Sequence, residues 1–197
     1  MKNSVRLFSI VTVLVFALAA PAGATDHNQG FFLRLTGGGG FASTSISDPA
    51  SIDLKLSGLG GGITAAIGGI VSPNLALHGN VWGWFVSDPD ATINGLDAGQ
   101  LGSSLNMSAV GGGATYYFMP TNVYLTGALG VGRLSTSGGS SDAGVVFDLA
   151  LGKEWWVSPK WGLGLNAGVQ YHNMPDGGVD QSWSGTTFVL SFSATLN

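Results

Sequence analysis

Residues 161–172 read WGLGLNAGVQYH, and this stretch decides between the folds open to the chain. Every second residue from Trp161 to Tyr171 is apolar, whereas the residues between them are glycine, asparagine, glutamine or histidine. Successive side chains of a β-strand point to opposite faces, so the stretch predicts a strand with one apolar face and one small or polar face. The end of the chain repeats the pattern, with Phe188, Phe192 and Leu196 on one face and Ser191 and Thr195 on the other.

The same alternation recurs along the chain. Segments of about 10 residues with alternating hydrophobicity, separated by turn residues, are typical of transmembrane β-strands. We place eight of them near residues 30–41, 56–71, 75–86, 105–118, 123–135, 144–157, 161–172 and 186–197.

Composition excludes several classes of protein. The 197 residues include 33 glycines and no cysteine, and only 9% of them are charged. Frequent glycine disfavours helices, and after residue 20 no apolar run reaches the roughly 18 residues that a membrane-spanning helix needs. The formal net charge of −4 makes nucleic acid an unsuitable partner.

The N-terminus predicts a secretory signal peptide over residues 1–24. Lys2 and Arg6 precede an apolar stretch at 7–20 that is too short to span a membrane, and small residues at Ala22 and Ala24 favour cleavage after Ala24. The remaining chain shows no linker or shift in composition, so we interpret residues 25–197 as one domain.

The connections between the predicted strands alternate in length. Short turns containing proline lie at 72–74, 119–122 and 158–160, whereas longer connections rich in Ser, Asp and Gly lie near 42–55, 87–104, 136–143 and 173–185. Short turns at one end and long loops at the other are the layout of an up-and-down membrane barrel. The fold class is therefore all-β, an eight-stranded antiparallel transmembrane barrel preceded by the signal peptide.

Strand parity assigns the two faces of this barrel. Eight strands enclose room for one layer of side chains, so small and polar residues are expected inside and large apolar residues outside, against lipid. We expect Lys153 on the outer face near the short turns. Aromatic residues at strand ends predict two girdles at the membrane surfaces, one formed by Phe31, Tyr116, Tyr117, Phe118, Tyr124, Trp155, Trp156 and Trp161, and the other by Trp82, Trp84, Phe85, Tyr171 and Phe188.

The predicted interior carries a small set of polar side chains. Charges in so narrow a lumen must be paired, because an isolated buried charge costs several kcal/mol. A plugged barrel is the expected consequence, with a gate or proton path as the alternative. The interior residues are Arg34, Asp148, Glu154, Asn166, Gln170 and His172.

No motif in the sequence indicates catalytic, cofactor-binding or metal-binding residues. The glycine runs at 37–42 and 60–65 fit a loose dinucleotide-binding pattern, but neither begins a helix, so crowding in a curved sheet explains them better. The enzyme alternative is a lipid A-modifying hydrolase. His172 offers a base for it, but no serine follows two positions later.

In its strand pattern and loop layout, the chain resembles the small outer-membrane β-barrel proteins of the OmpA/OmpX/OmpW-like kind, over residues 30–197. The resemblance implies a location in the outer membrane of a Gram-negative bacterium. It also implies lipid, lipopolysaccharide and the barrel assembly machinery as partners, and a monomer.

We therefore expect a non-enzymatic integral outer-membrane protein without a cofactor. Its role would be structural, or a surface interaction through its long extracellular loops. The alternatives are a narrow passive pore and the lipid A-modifying hydrolase.

Overall fold

The structure is a computed structural model that describes residues 30–47, 52–176 and 181–197, so the predicted signal peptide lies outside the described residues. The described residues form eleven β-strands: β1 (Gly30–Ser47), β2 (Asp53–Ser72), β3 (Leu75–Val86), β4 (Asp90–Ile93), β5 (Leu96–Gln100), β6 (Leu105–Phe118), β7 (Val123–Thr136), β8 (Gly139–Ser140), β9 (Gly144–Trp156), β10 (Trp161–Pro175) and β11 (Ser182–Leu196). No helix in these ranges is long and apolar enough to cross a bilayer.

Eight of the strands close into an antiparallel barrel. They follow one another around the wall as β1, β11, β10, β9, β7, β6, β3 and β2, and β2 pairs with β1 to close the ring. Each of these eight strands pairs with the barrel strands that precede and follow it in the sequence, and the first and last, β1 and β11, pair with each other to close the ring, as in an up-and-down barrel. The predicted fold class is thus confirmed.

The two ends of the barrel differ as predicted. Turns at 73–74, 119–122 and 157–160 join strands at one end, which we call the short-turn end. Asn74 and Asn122 adopt left-handed φ angles of 65° and 52° in two of these turns, a conformation that asparagine tolerates better than most residues. At the opposite end, the long-loop end, β1 ends at Ser47 and β2 begins at Asp53, and β10 ends at Pro175 and β11 begins at Ser182. Residues 87–104 and 137–143 connect strands at the same end.

The strands extend further at the long-loop end than the sequence pattern predicts. β1 and β2 remain paired as far as Ser47 and Asp53, so residues 42–47 and 53–55 of the predicted loop belong to paired strands. The predicted loop at 87–104 contains strands β4 and β5, and β4 pairs with β2 in this region. The result is a four-stranded extension, in the order β1, β2, β4, β5, that we call the extracellular sheet.

The outer face of the barrel is apolar, as strand parity predicts. Large hydrophobic side chains that are substantially exposed occur on all eight barrel strands, among them Leu35, Ile63, Val81, Val110, Leu129, Leu149, Leu163 and Leu190. A soluble protein would not leave so many of them in contact with water, because each buried side chain of this kind gains about 1.5–3 kcal/mol. This surface fits the hydrocarbon of a bilayer.

The interior corrects part of the predicted aromatic girdles. Trp82, Trp84, Tyr117 and Tyr124 all point into the lumen and are buried. At these positions the two-residue period outweighs the tendency of Trp and Tyr to lie at membrane surfaces.

A second correction concerns Lys153. Its register is that of the outer face, yet the residue is only 5% exposed, and its Nζ lies 5.7 Å from the centre of the Trp155 ring. The outer-face register therefore agrees with the prediction, but the side chain packs beside Trp155 and is not exposed.

Candidate functional site

The barrel interior nearest the short-turn end contains a hydrogen-bonded ion pair. Arg34 on β1 places its Nη2 3.0 Å from Oε1 of Glu154 on β9, and its Nε donates to the same oxygen at 3.2 Å. Tyr117 donates from its hydroxyl to Oε2 of Glu154 at 3.1 Å, and Thr195 donates to Oε1 at 2.6 Å. Arg34 Nη1 also donates to Thr115 at 3.3 Å. Each charge is therefore met by several partners, which a buried ion pair needs if it is to be tolerated.

Aromatic rings enclose this ion pair. The guanidinium carbon of Arg34 lies 3.8 Å from the centre of the Tyr124 ring, 5.1 Å from that of Phe32 and 5.6 Å from that of Tyr117. Rings at these distances attract a cation through their negative faces, and they also exclude water. Phe32, Tyr117 and Tyr124 belong to an apolar cluster at the short-turn end of the lumen.

A second polar group lies above the ion pair, towards the middle of the barrel. His78 contacts Asn80 through Nδ1 and Thr115 through Nε2, the latter at 2.9 Å, and Thr115 donates to Thr126 at 2.8 Å. Because Thr115 also accepts from Arg34, the network joins the ion pair to the mid-barrel residues.

A small polar cavity occupies the middle of the lumen. Its volume is about 40 Å³, and Asp148, Asn166 and Gln170 line one side of it, opposite His78 and Asn80. Asn166 donates to the hydroxyl of Tyr124 at 3.2 Å. Asp148 and Gln170 are directly opposite each other in the register of the β9–β10 pair.

Above the cavity the lumen is apolar, contrary to the expectation of a wholly polar interior. A cluster of buried side chains fills this level: Ala42, Leu56, Trp82, Trp84, Val86, Ala91, Leu105, Met107, Ala109, Ala128, Leu134, Val146 and Met174. His172 lies among them, with its Nε2 2.9 Å from the Thr44 hydroxyl and its ring 5.9 Å from that of Trp84. Nδ1 of His172 has no hydrogen-bond partner.

The six polar residues singled out from the sequence therefore occupy different levels of one lumen. Arg34 and Glu154 form the ion pair, and Arg34 also lines the cavity together with Asp148, Asn166 and Gln170. His172 lies in the apolar cluster. Sequence reasoning did not assign Tyr117, Tyr124, Thr115 or Thr195 to the ion-pair network. The two-residue period of a β-strand could have predicted that Tyr117 points into the lumen, because its neighbours Tyr116 and Phe118 are on the exposed outer face.

Within the described ranges, no group of three or more His, Asp or Glu side chains is arranged to hold a metal ion. Carboxylate and imidazole clusters of the usual kind are thus absent from this part of the chain. The charged groups of the lumen are spread along the barrel axis instead.

The extracellular sheet is the other candidate site. Asn94 and Gly95 form the turn between β4 and β5, with φ angles of 51° and 79°, as a two-residue turn of type I′ requires. Asn94 also ties this hairpin to β2, since its backbone N–H donates to the Asp53 carbonyl and its Oδ1 accepts from the Asp53 N–H, each at 2.8 Å. Ile52, Ile93 and Leu96 are exposed at the tip of the sheet, and every residue of β5 is exposed.

A closed eight-stranded barrel with an apolar outer surface, short turns at one end and long loops at the other defines the class of protein: a small outer-membrane β-barrel of the Gram-negative type. In that class the short-turn end faces the periplasm and the long-loop end faces the outside of the cell.

Comparison with solved structures finds the same fold. The barrel is similar to Neisserial surface protein A, with a TM-score of 0.52 and 19% sequence identity over 88% of this chain and 98% of that one. Weaker similarity is found to OprG from Pseudomonas aeruginosa, with a TM-score of 0.48 and 13% identity over 86% and 98% of the two chains. The attachment invasion locus protein Ail of Yersinia pestis gives a TM-score of 0.48 and 14% identity over 85% and 99% of the two chains.

No protein-family model and no curated protein matches the sequence. At these identities the likeness to solved structures is one of fold.

Proposed function

We propose that the protein is a non-conducting, non-catalytic outer-membrane barrel that anchors the extracellular sheet as a surface for contacts outside the cell. We further infer a monomer that reaches the outer membrane through the barrel assembly machinery. The filling of the lumen is the observation that carries the proposal.

The lumen is filled at successive levels along its axis. Aromatic rings and the Arg34–Glu154 pair fill the level near the periplasm, and the cluster around Trp82 and Trp84 fills the level near the outside. The cavity between them, at about 40 Å³, is no larger than about three waters require. These observations favour a barrel without a continuous aqueous path over a passive pore.

The environment of His172 supports a non-catalytic role. Its Nε2 lies 2.9 Å from the Thr44 hydroxyl, a distance at which a base could activate a nucleophile. Both residues are, however, fully buried inside the barrel, on the face opposite to the lipid. A lipid A-modifying hydrolase needs its base and nucleophile where the lipid can reach them.

The extracellular sheet supports a role in surface contacts. Isolated exposed apolar residues are normal, but Ile52, Ile93 and Leu96 are exposed together at the tip of a sheet held in place by the Asn94–Asp53 hydrogen bonds. Rigid elements that present apolar groups bind with a smaller loss of conformational entropy than flexible loops do.

Planar-bilayer recording with the refolded protein tests the first part of this proposal. We expect no unitary current steps from the parent protein, because water does not pass the apolar cluster. Reproducible steps from the parent would contradict the proposal and favour the narrow pore.

Comparison of cells that carry the parent or a tip variant tests the second part. Leu96→Asp should leave the barrel folded, as judged by resistance of the folded band to SDS at room temperature, and should reduce cell-to-cell aggregation or adherence to host-cell layers. Asp142→Asn, at an exposed position in another loop, is the control. Equal adherence of parent and Leu96→Asp cells would argue against the extracellular sheet as the contact surface.

A further inference from the structure

The mouth of the barrel at the long-loop end contains a vestibule. Its volume is about 480 Å³, and Leu56, Leu105 and Leu134 form its floor. These three leucines come from β2, β6 and β7 and are buried members of the apolar cluster that fills the lumen beneath. Because the cluster closes the floor, a molecule held in the vestibule stays on the extracellular side and does not enter the lumen.

The wall of the vestibule is polar and accessible. Ser135, Thr136 and Ser140 line it on β7 and β8, and Asp176 and Trp183 line it at the ends of β10 and β11. All five residues are half-buried or exposed, so a ligand can reach them. Trp183 donates from Nε1 to Oδ2 of Asp176 at 3.3 Å, which fixes the indole and leaves the second carboxylate oxygen to accept from a ligand.

Hydrogen bonds hold this wall in shape. The backbone N–H of Ser141 donates to the Leu134 carbonyl at 3.0 Å, and the Ser141 hydroxyl accepts from the Leu134 N–H at 3.0 Å. The next N–H, that of Asp142, donates to the Pro175 carbonyl at 2.9 Å. The segment after β8 is therefore tied to both β7 and β10, and a site formed before binding loses less conformational entropy when it binds.

We propose that the vestibule binds an uncharged pyranose sugar. A pyranose ring has an apolar face of C–H groups and a rim of hydroxyl groups. The indole of Trp183 and the leucine floor match the first, and the wall of hydroxyl and carboxylate groups matches the second. Ligand pockets of roughly 300–1,000 Å³ typically combine apolar walls with a few polar groups in this way.

The charge of the vestibule favours a neutral sugar over an acidic one. None of the described residues that line it is Lys or Arg, and Asp176 gives it a negative charge that repels carboxylate and sulfate groups. The vestibule is separate from the tip of the extracellular sheet at Ile52, Ile93 and Leu96, so this proposal is tested independently of the contact surface proposed above.

Saturation-transfer NMR on the refolded barrel tests the proposal. The protein is held in micelles of lauryldimethylamine oxide, and its aromatic protons are irradiated, because neither the detergent nor the probes contain any. The neutral probes are the methyl glycosides of glucose, galactose and mannose. Methyl glucuronide is the acidic probe and choline the cationic one. We expect transfer to the ring C–H protons of at least one neutral glycoside, and a weaker response or none from methyl glucuronide and choline.

Two pairs of variants locate the bound sugar. Trp183→Ala and Asp176→Ala should each weaken binding of the responding glycoside about tenfold or more, since one removes the apolar platform and the other a charged hydrogen-bond acceptor. Trp161→Ala, at the short-turn end, and Asp142→Ala, at an exposed position outside the lining, are the matched controls and should keep the parental affinity. If Trp183→Ala does not refold, the comparison of Asp176→Ala with Asp142→Ala decides the matter.

Three outcomes would overturn the proposal. No transfer to any of the three neutral glycosides would mean that the vestibule does not recognise a pyranose. A stronger response from choline than from every glycoside would indicate a site for an organic cation instead. Binding of a glycoside that is equally strong in the parent and in Asp176→Ala would place the sugar elsewhere on the protein.

Discussion

Arg34 on β1 and Glu154 on β9 meet inside the barrel with 3.0 Å between Nη2 and Oε1, although their strands are separated in the wall by β10 and β11. The contact is possible because the barrel has only eight strands, and a long side chain reaches across so narrow a lumen. The pair thus ties two distant parts of the wall together. It also connects to the cavity through Thr115 and His78.

Removing one partner of this pair should destabilise the barrel strongly. Arg34→Ala leaves Glu154 as a buried charge without its cation, and we expect a loss of about 3–5 kcal/mol in the free energy of unfolding. The double variant Arg34→Met/Glu154→Leu removes both charges and should lose clearly less. Urea unfolding in lipid or detergent measures both. A loss below about 1 kcal/mol for Arg34→Ala would indicate a solvated guanidinium instead of a buried one.

Two exposed leucines distinguish the lipid-facing wall from the surface above it. Leu190 on β11 is 60% exposed at mid-wall, and Leu96 at the tip of the extracellular sheet is 74% exposed. Leu190→Arg should cost about 2–4 kcal/mol in lipid vesicles, because it places a charge in hydrocarbon. Leu96→Arg should change stability by about 0.5 kcal/mol or less, since water surrounds it. Similar costs at both positions would mean that the membrane boundary is misplaced.

The barrel itself could be predicted from the sequence because the two-residue period is a local property. All eight barrel strands lie where the alternation placed them, and the bounds of β3 and β6 agree to the residue. The extensions of β1 and β2 into 42–55 could not be predicted in this way, since above the membrane neither face needs to be apolar. There the pattern that marks a strand weakens while the backbone pairing continues.

The hairpin of β4 and β5 has a local signal in the sequence. Asn94-Gly95, between Ile93 and Leu96, is the combination of residues that most strongly favours a two-residue hairpin turn. Docking of that hairpin on β2 depends on the pairing of Asn94 with Asp53, residues distant in sequence.

The contents of the lumen were predicted less well than its wall. Parity identifies which residues point inward, but it does not show which of them meet across the barrel. The choice of Glu154 rather than Asp148 as the ion-pair partner of Arg34 depends on strand stagger. The two inward tryptophans were misplaced because an aromatic residue near a strand end fits either a girdle or a lumen.

Tryptophan substitutions test this corrected assignment. Trp84 is 4% exposed within the apolar cluster, whereas Trp161 is 40% exposed on the outer face. Trp84→Ala should cost about 3–5 kcal/mol, because it opens a cavity in a packed interior. Trp161→Ala should cost much less, since lipid or detergent fills the space. Urea unfolding monitored by circular dichroism compares the two losses in stability. A larger loss for Trp161→Ala than for Trp84→Ala would indicate that Trp84 lies at the membrane surface.

The turn of the extracellular hairpin depends on residues that tolerate a left-handed backbone. Gly95 has a φ of 79°, so Gly95→Ala should disfavour the hairpin by about 1–2 kcal/mol. Opening of the hairpin should then become about 5–30 times more frequent, and thermolysin cleavage within 90–100 should accelerate by the same factor. Gly95→Asn should have a smaller effect, because asparagine adopts this conformation more readily. Unchanged cleavage of Gly95→Ala would show that the hairpin is not the structure the protease attacks.

Adjacent glycines of β1 provide the last test, which concerns why the wall is rich in glycine. A Cβ added to Gly38 would point inward, 2.6 Å from the Cα of Ser191 on β11 and in closer conflict with the Leu190 carbonyl oxygen. A Cβ added to Gly37 would point outward, with no protein atom within 4 Å. Gly38→Ala should therefore cost about 1–3 kcal/mol, as overpacking does, whereas Gly37→Ala should be neutral or stabilise the barrel by up to about 1 kcal/mol. Urea midpoints of the two variants check this, and equal destabilisation would mean that backbone flexibility, rather than crowding inside the barrel, requires these glycines.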